Sequence, residues 1–164
     1  MDRCNKIMDN RDYRFYLDKN KTAETGRDFC SHNFEHILAV ARLTYLLLIE
    51  EGNPFISREI AYAAGLLHDI GRWKEYQSGQ DHAELSSELA GPILEEAGFL
   101  LSERLLIQKA IAQHRHRSHP HSHRSPLSRA LAKADSLSRL CFKCEARAEC
   151  YKIEQQPHQR RLIY

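Results

Sequence analysis

The sequence predicts an all-α fold, a compact single-domain helical bundle. Apolar residues recur at helical spacing along most of the chain, and no convincing run of alternating strand residues interrupts them. A length of 164 residues fits one domain, and hydrophobic residues make up 42%, enough to form its core. The mean hydropathy of −0.58 predicts a soluble protein.

Six helices are predicted from their start and stop signals. They are about 10–20, Ser31 to Gly52, Ser57 to His68, Asp81 to Gly98, Ser102 through Ile111, and about 126–140. Ser57 and Ser102 suit N-caps, and Asp81 with Glu84 three residues later resembles a capping box. The polar segment 19–28 is predicted to be a linker.

We expect three regions along the chain: an N-terminal helix and linker at 1–30, a helical domain at 31–140, and a cysteine-containing C-terminal extension at 141–164 packed on that domain. No internal repeat and no domain-sized linker divides the sequence. The longest apolar stretch, 43–49, is far below the roughly 18 residues needed to cross a bilayer. No membrane span is therefore predicted.

Charge and cysteine content narrow the class of protein. With 24 basic and 22 acidic residues, the net charge of +2 does not call for nucleic acid or an anionic membrane as partner. The N-terminus lacks the apolar core of a secretory signal, so we expect a cytoplasmic protein. Five cysteines, an odd number, then indicate reduced thiols rather than a disulfide framework.

The dipeptide His68-Asp69 ends the apolar run AAGLLHDIGR, where both side chains are costly to bury unless something compensates them. A bound metal ion is the simplest compensation. His36, His114 and Asp135 fall on apolar faces of three other predicted helices, which directs them toward the core. Imidazole and carboxylate ligands together suit Fe, Mn, Co, Ni or Zn, and without thiolates they favour a catalytic over a structural site.

These residues and their contexts resemble the HD-domain superfamily of metal-dependent phosphohydrolases, over about 32–140. The motifs are His36 in HNFEHILAVA, His68-Asp69 in AGLLHDIGR, and Asp135 in KADSLSR. The resemblance implies an all-α fold of the HD-domain type in which these four residues bind one divalent transition metal ion. It also implies a catalytic role for Asp69, which would bridge or orient the attacking water.

Two further histidines extend the resemblance to a second metal ion. His82 in DHAELSSELA and His114 in KAIAQHRH fall where six-ligand members of the superfamily carry their extra histidines. Their order is similar to that in the bacterial di-iron HD hydrolases of dinucleoside tetraphosphates. The His- and Arg-rich segment that follows departs from this pattern, so the substrate is left open.

The function implied by the resemblance is hydrolysis of a nucleotide or related phosphate ester or anhydride by metal-activated water. The expected partner is a small phosphorylated molecule, with a nucleotide favoured and no membrane or nucleic acid. Two alternatives stay open: a non-catalytic HD protein that binds or senses a nucleotide, and a di-iron HD-fold oxygenase. The intact ligand set argues against a degenerate site.

Three basic residues are candidates for binding the phosphate of such a substrate. Arg72 directly follows the His-Asp doublet, and Arg139 lies one helical turn beyond Asp135, so either guanidinium could pair with two phosphate oxygens. Lys133 is a weaker candidate. Solvated surface charge is the alternative for all three. The segment 115–124 is read either as an anion-binding lid or as an ordinary surface loop.

A separate cysteine pattern follows the last predicted helix. Cys141-x2-Cys144-x5-Cys150 contains the C-x2-C half of a zinc site but lacks a second pair. Cys30 or His32, at the start of the second predicted helix, would complete four ligands of an additional structural zinc site. A redox role, or reduced cysteines that simply pack in the fold, are the alternatives.

Overall fold

The computed structural model describes residues 1–115 and 124–150; the His-rich segment 116–123 and the tail 151–164 lie outside it. The described residues form α-helices and contain no strand. The helices are α1 Asp2–Asp9, α2 Arg11–Ala23, α3 Phe34–Glu50, α4 Arg58–Leu67, α5 Arg72–Ser78, α6 His82–Glu96, α7 Leu101–Gln113 and α8 Pro126–Leu137. The predicted all-α fold is confirmed. In these ranges no helix is long and apolar enough to span a membrane.

An aliphatic core fixes the helices that carry the candidate ligands. α3 packs along α4 and α8, while α6 packs on α7 and α7 on both α4 and α8. Fully buried side chains from these helices include Ile37, Leu66, Leu94, Ile111 and Leu131. Burying one such side chain stabilises the fold by about 1.5–3 kcal/mol, so the ends of the helices are held firmly in place.

α3 and α4 cross so closely that the space at Gly65 cannot hold a side chain. A Cβ atom added to Gly65 would lie 2.4 Å from Cα of Ala41, well inside van der Waals contact. Glycine is therefore required at this crossing. The close approach brings the ring of His36, in α3, and the ring of His68, just past the end of α4, to a centroid distance of 5.6 Å.

The N-terminal region contains more structure than the sequence predicted. α1 was not predicted, because only Cys4 and Ile7 of its eight residues are buried and the apolar signal is weak. Arg3 attaches it to the domain through Glu59 Oε2 at 2.8 Å and Glu103 Oε2 at 2.5 Å. The segment 1–30 is therefore packed on the bundle.

α2 continues beyond the predicted end near residue 20 to Ala23, so the first part of the predicted linker is helical. Asn20 is buried in the last part of α2. Its amide nitrogen donates to the Asp69 carbonyl at 2.8 Å, and its amide oxygen accepts from the Trp73 backbone N–H at 2.7 Å. One side chain of α2 thus holds the turn between α4 and α5.

Two further expectations need correction. The sequence predicted no helix between His68 and Asp81 and so missed the short helix α5, which has no buried residue and ends at Gly79 in the left-handed conformation, φ 73°. Ser102 is not an N-cap, because α7 already begins at Leu101 and the Glu103 carboxylate accepts the Leu100 N–H at 2.9 Å.

The predicted N-caps Ser57 and Asp81 are confirmed. Ser57 Oγ accepts from the Ile60 backbone N–H at 3.3 Å, and Asp81 Oδ1 accepts from the Ala83 N–H at 2.8 Å. These caps fix the starts of α4 and α6. His82 is the first residue of α6, so its position follows directly from the cap.

Replacing Gly65 with alanine should destabilise the protein by about 1–3 kcal/mol, because the new methyl group would collide with backbone rather than with a movable side chain. Urea unfolding followed by circular dichroism measures the loss. Gly91→Ala is the matched control: Gly91 is also helical, but its Cβ would first meet the side-chain nitrogen of Gln108, at 3.1 Å. Equal stabilities of the two variants would contradict the close helix crossing.

Candidate metal centre

The six predicted metal ligands come together where several helices begin or end. His36 lies in the first turn of α3, His68 and Asp69 directly follow α4, and His82 starts α6. His114 directly follows α7, and Asp135 lies in the last turn of α8. The first five are buried, whereas the Asp135 side chain is 32% exposed. The cluster therefore opens to solvent beside Asp135.

The donor atoms form two sets that share Asp69. His36, His68, Asp69 and Asp135 make one set, and Asp69, His82 and His114 make the other. Within each set the ligand atoms lie within 4.8 Å of one another. Either set could hold a metal ion.

Each carboxylate oxygen of Asp69 faces a different set. Oδ2 lies 3.1 Å from His68 Nε2 and 3.8 Å from His36 Nε2. Oδ1 lies 2.9 Å from His82 Nε2 and 3.9 Å from His114 Nε2. This is the arrangement expected of a carboxylate that bridges two metal ions.

Backbone carbonyls select the tautomer of two of the histidines. His68 Nδ1 lies 2.7 Å from the Gly65 carbonyl, and His114 Nδ1 lies 2.6 Å from the Ile111 carbonyl. A carbonyl oxygen only accepts hydrogen bonds, so each Nδ1 carries the proton. Each Nε2 then directs its lone pair at Asp69 and its surroundings, as a metal ligand requires.

In His36 and His82, the partner of Nδ1 is a side chain rather than a backbone carbonyl. The Ser138 hydroxyl donates to the Asp135 carbonyl at 2.8 Å and accepts from His36 Nδ1 at 3.1 Å. His82 Nδ1 pairs with the carboxylate of Glu75. Metal-ligating histidines usually donate their second nitrogen to such a partner, which orients the ring and raises its basicity.

The residues fit a divalent metal ion. Nε2 of His68 and Nε2 of His114 are fully buried and have no hydrogen-bond partner among the described residues, which is uncommon for buried polar atoms. Burial raises the pKa of Asp69, but the neighbouring His68 and His32 hold it well below its usual range, so the carboxylate is charged. A cation bound between these groups would satisfy both.

The model of the HD domain family matches residues 33–140, a range that contains every donor of both sets. The chain belongs to the HD-domain family. This is a family of metal-dependent phosphohydrolases, in agreement with the predicted resemblance.

Two known proteins support the assignment. A protein of Clostridium beijerinckii described as uncharacterised is 37% identical over 150 residues, which are 92% of this chain and 92% of that protein. The crystal structure of a predicted HD superfamily hydrolase from an uncultured Thermotogales bacterium is similar at a TM-score of 0.57 and 31% identity, over 76% of this chain and 66% of that chain. The chain thus spans just under two thirds of that hydrolase.

One residue at the HD site was not predicted to be there. His32 lies just before the matched range, and the sequence suggested it as a partner of the cysteines. Instead its Nε2 faces Asp69 Oδ2 at 3.8 Å, which makes it the fifth imidazole around this carboxylate. Its spacing of four residues from His36 was the available signal, because residues four apart share a helix face. The helix predicted from Ser31 would have included both residues, whereas in the structure α3 begins at Phe34 and His32 lies before it.

His32 is held by a carboxylate from the end of α2. Glu24 pairs with His32 Nδ1 and also accepts the His32 backbone N–H at 2.8 Å. The Tyr76 hydroxyl donates to the same carboxylate at 2.9 Å. Burial raises the pKa of Glu24, but these hydrogen bonds lower it to about 2. Glu24 therefore stays charged and fixes the orientation of the ring.

The candidate phosphate-binding residues differ in their positions. Arg139 reaches the HD site, with Nη2 at 3.0 Å from His36 Nε2 and 3.5 Å from Asp135 Oδ1. Arg72 also lies at the site, but its guanidinium contacts Glu75, His82 and Tyr76.

Lys133 is not brought to the site. It pairs with Glu51, just past the end of α3, at 3.6 Å, whereas His36 lies at the beginning of that helix. The proposed phosphate contact of Lys133 is therefore not supported by its position.

The purified protein should contain two equivalents of iron or manganese. Any zinc is counted separately. The double variant His82→Ala plus His114→Ala should contain one, because it removes both imidazoles of the second set and leaves the first intact. Elemental analysis of untagged protein measures the content. One equivalent in both proteins would mean that Asp69 binds a single ion.

Proposed function

We propose that the protein hydrolyses a small phosphorylated molecule, a nucleotide or related phosphate ester or anhydride, in the cytoplasm. The observation that supports this most directly is the shared carboxylate: Asp69 directs one oxygen to each donor set. Donor sets joined in this way are typical of two-metal sites that act on phosphate esters.

Bound divalent ions would supply a water of lowered pKa and positive charge for the phosphoryl oxygens. The chain supplies the orientation. Asp69 is fixed through its backbone carbonyl by Asn20 and is too deeply buried to rotate freely, so its two oxygens keep their directions. A fixed carboxylate of this kind would hold the attacking water in line with the phosphorus atom.

Substrate would enter beside Asp135, the least buried member of the first set. Arg139 stands at this opening and is anchored through Nη1, which donates to the Ser31 carbonyl at 2.8 Å. Its Nη2 points to the ligand atoms of His36 and Asp135. An anchored guanidinium here would pair with a phosphate group and help to place it between the two donor sets.

The pair His32 and Glu24 would complete the site on the side of α2. Because its Nδ1–H donates to the Glu24 carboxylate, the imidazole presents Nε2 toward Asp69 Oδ2 as a proton acceptor or a further ligand. We propose that His32 contacts the attacking water or a phosphoryl oxygen.

Asp69→Asn should lower turnover of a phosphorylated substrate by about 100-fold or more, because it removes the charge but keeps the shape of the carboxylate. The assay presents nucleotides, dinucleoside polyphosphates and simple phosphomonoesters to manganese- or iron-loaded protein and measures phosphate release. Glu84→Gln, which neutralises an exposed carboxylate of α6, is the control and should keep full activity.

Two other outcomes of this assay would contradict the proposal. Saturable nucleotide binding without turnover in the wild type would identify a binding or sensing protein. Oxygen uptake by the reduced iron form, in the absence of phosphate release, would identify an oxygenase.

Arg139→Ala should raise KM for the phosphorylated substrate about 10-fold or more, because a hydrogen bond between charged groups is lost. Lys133→Ala, which removes a basic side chain of α8, is the control and should leave KM unchanged, since Lys133 pairs with Glu51. Steady-state kinetics on both variants measures the effect. Equal changes in KM would mean that the general positive charge of this region, and not a contact of Arg139, attracts the substrate.

A further inference from the structure

Four of the five cysteines lie just outside the range of the HD match, one before it and three after it. Cys141, Cys144 and Cys150 follow α8, and the matched range stops at residue 140. Burial raises the pKa of Cys141, and the neighbouring thiols of Cys30, Cys144 and Cys150 raise it further. The fifth cysteine, Cys4, is buried elsewhere, with its Sγ donating to the Glu59 carbonyl at 3.6 Å.

Backbone hydrogen bonds keep the three C-terminal cysteines near one another. Three successive turns connect the C-terminal cysteines: the Cys144 N–H bonds to the Cys141 carbonyl, the Arg147 N–H to the Cys144 carbonyl, and the Cys150 N–H to the Arg147 carbonyl, each at 3.3 Å. The backbone of Cys144, between the first two turns, is extended, so the chain changes direction there. The chain is thus folded into a short compact segment.

Cys30 is brought to this segment by a contact of its neighbour. Arg139, two residues before Cys141, donates to the carbonyl of Ser31 at 2.8 Å. This bond ties the segment that precedes α3 to the end of α8. It places Cys30 next to cysteines that are distant in sequence.

The segment 141–150 has no apolar core of its own. Neither of its two short helical turns, Cys141–Lys143 and Glu145–Arg147, contains a buried residue. Small elements that cannot bury enough apolar surface are commonly fixed by a disulfide or a structural metal. In the cytoplasmic location proposed above, a cluster of four thiols favours the metal.

We propose that Cys30, Cys141, Cys144 and Cys150 bind one structural zinc ion that attaches the C-terminal segment to the start of the HD domain. Thiolates prefer zinc among the common divalent ions, and C-x2-C is the usual half of such a site. Four sulfur ligands fill the tetrahedral shell and leave no position for catalysis. Each thiol gives up its proton on binding, and no electron is transferred.

The thiols must draw together around the ion. Among the described residues, the donor sets within 4.8 Å of one another are the two around Asp69, and the cysteines are not among them. Metal sites are rarely preformed, so binding couples to ordering of the segment. This includes Arg139, whose backbone would be held between the zinc site and the HD site.

Cobalt substitution tests the site independently of the HD metal centre. Cobalt bound by thiolates absorbs strongly in the near ultraviolet through charge transfer, whereas cobalt bound by histidine and carboxylate does not. Reduced wild-type protein should show this absorption, and Cys30→Ser should lose about one quarter of it, one thiolate of four. Cys4→Ser is the matched control and should keep the full intensity. The serine hydroxyl can replace the buried thiol as the donor to the Glu59 carbonyl.

Counting the reactive thiols of the wild-type protein tests the zinc site even if a cysteine variant fails to fold. Native wild-type protein should expose four reactive thiols, because Cys4 is buried, and zinc should protect all four. Zinc should also slow tryptic cleavage after Lys143 and Arg147, both exposed in this segment.

Three results would overturn the zinc site. They are absence of thiolate-to-cobalt absorption in the reduced protein, an unchanged spectrum of folded Cys30→Ser, and iron with acid-labile sulfide in the purified protein. The last result would mean an iron–sulfur cluster. None of them depends on whether the HD site hydrolyses phosphate.

Discussion

One buried carboxylate constrains this fold. Asp69 is 2% exposed, and removing a charged carboxylate from water costs several kcal/mol unless other groups replace its hydration. Five imidazoles face it, each approaching through Nε2. Every one of these rings is also held at Nδ1, by a carbonyl, a hydroxyl or a carboxylate. The surrounding structure is therefore organised to present ligand atoms around a single charge.

Helix ends make this organisation possible. The last carbonyls of a helix have no partner within it. At α4 and α7 such a carbonyl, of Gly65 or Ile111, accepts the Nδ1 proton of the histidine three residues later. The same geometry satisfies the helix end and selects the tautomer that binds metal. Secondary structure and ligand chemistry thus depend on one hydrogen bond.

Sequence reasoning was most successful where local patterns carry the information. The apolar spacing around His36 and Asp135 indicated that both lie on core-facing sides of helices, and the caps at Ser57 and Asp81 fixed two helix starts. It failed where partners are distant in sequence. Nothing near Glu24 indicates that it holds His32 at the candidate metal centre, and Lys133 pairs with Glu51, just past the end of α3. α1 and α5 were missed because short helices with few buried residues carry little periodic signal.

The region before residue 33 belongs to the site as much as the matched domain does. Asn20 and Glu24, both in or next to α2, hold Asp69 and His32 in place, yet neither falls within the family match. The boundary of the family match and the boundary of the candidate site are therefore different. An HD protein whose segment before the domain differs from this one would keep the metal ligands but lack the contacts of Asn20 and Glu24. Changes of substrate range during evolution can thus begin outside the domain while every ligand stays fixed.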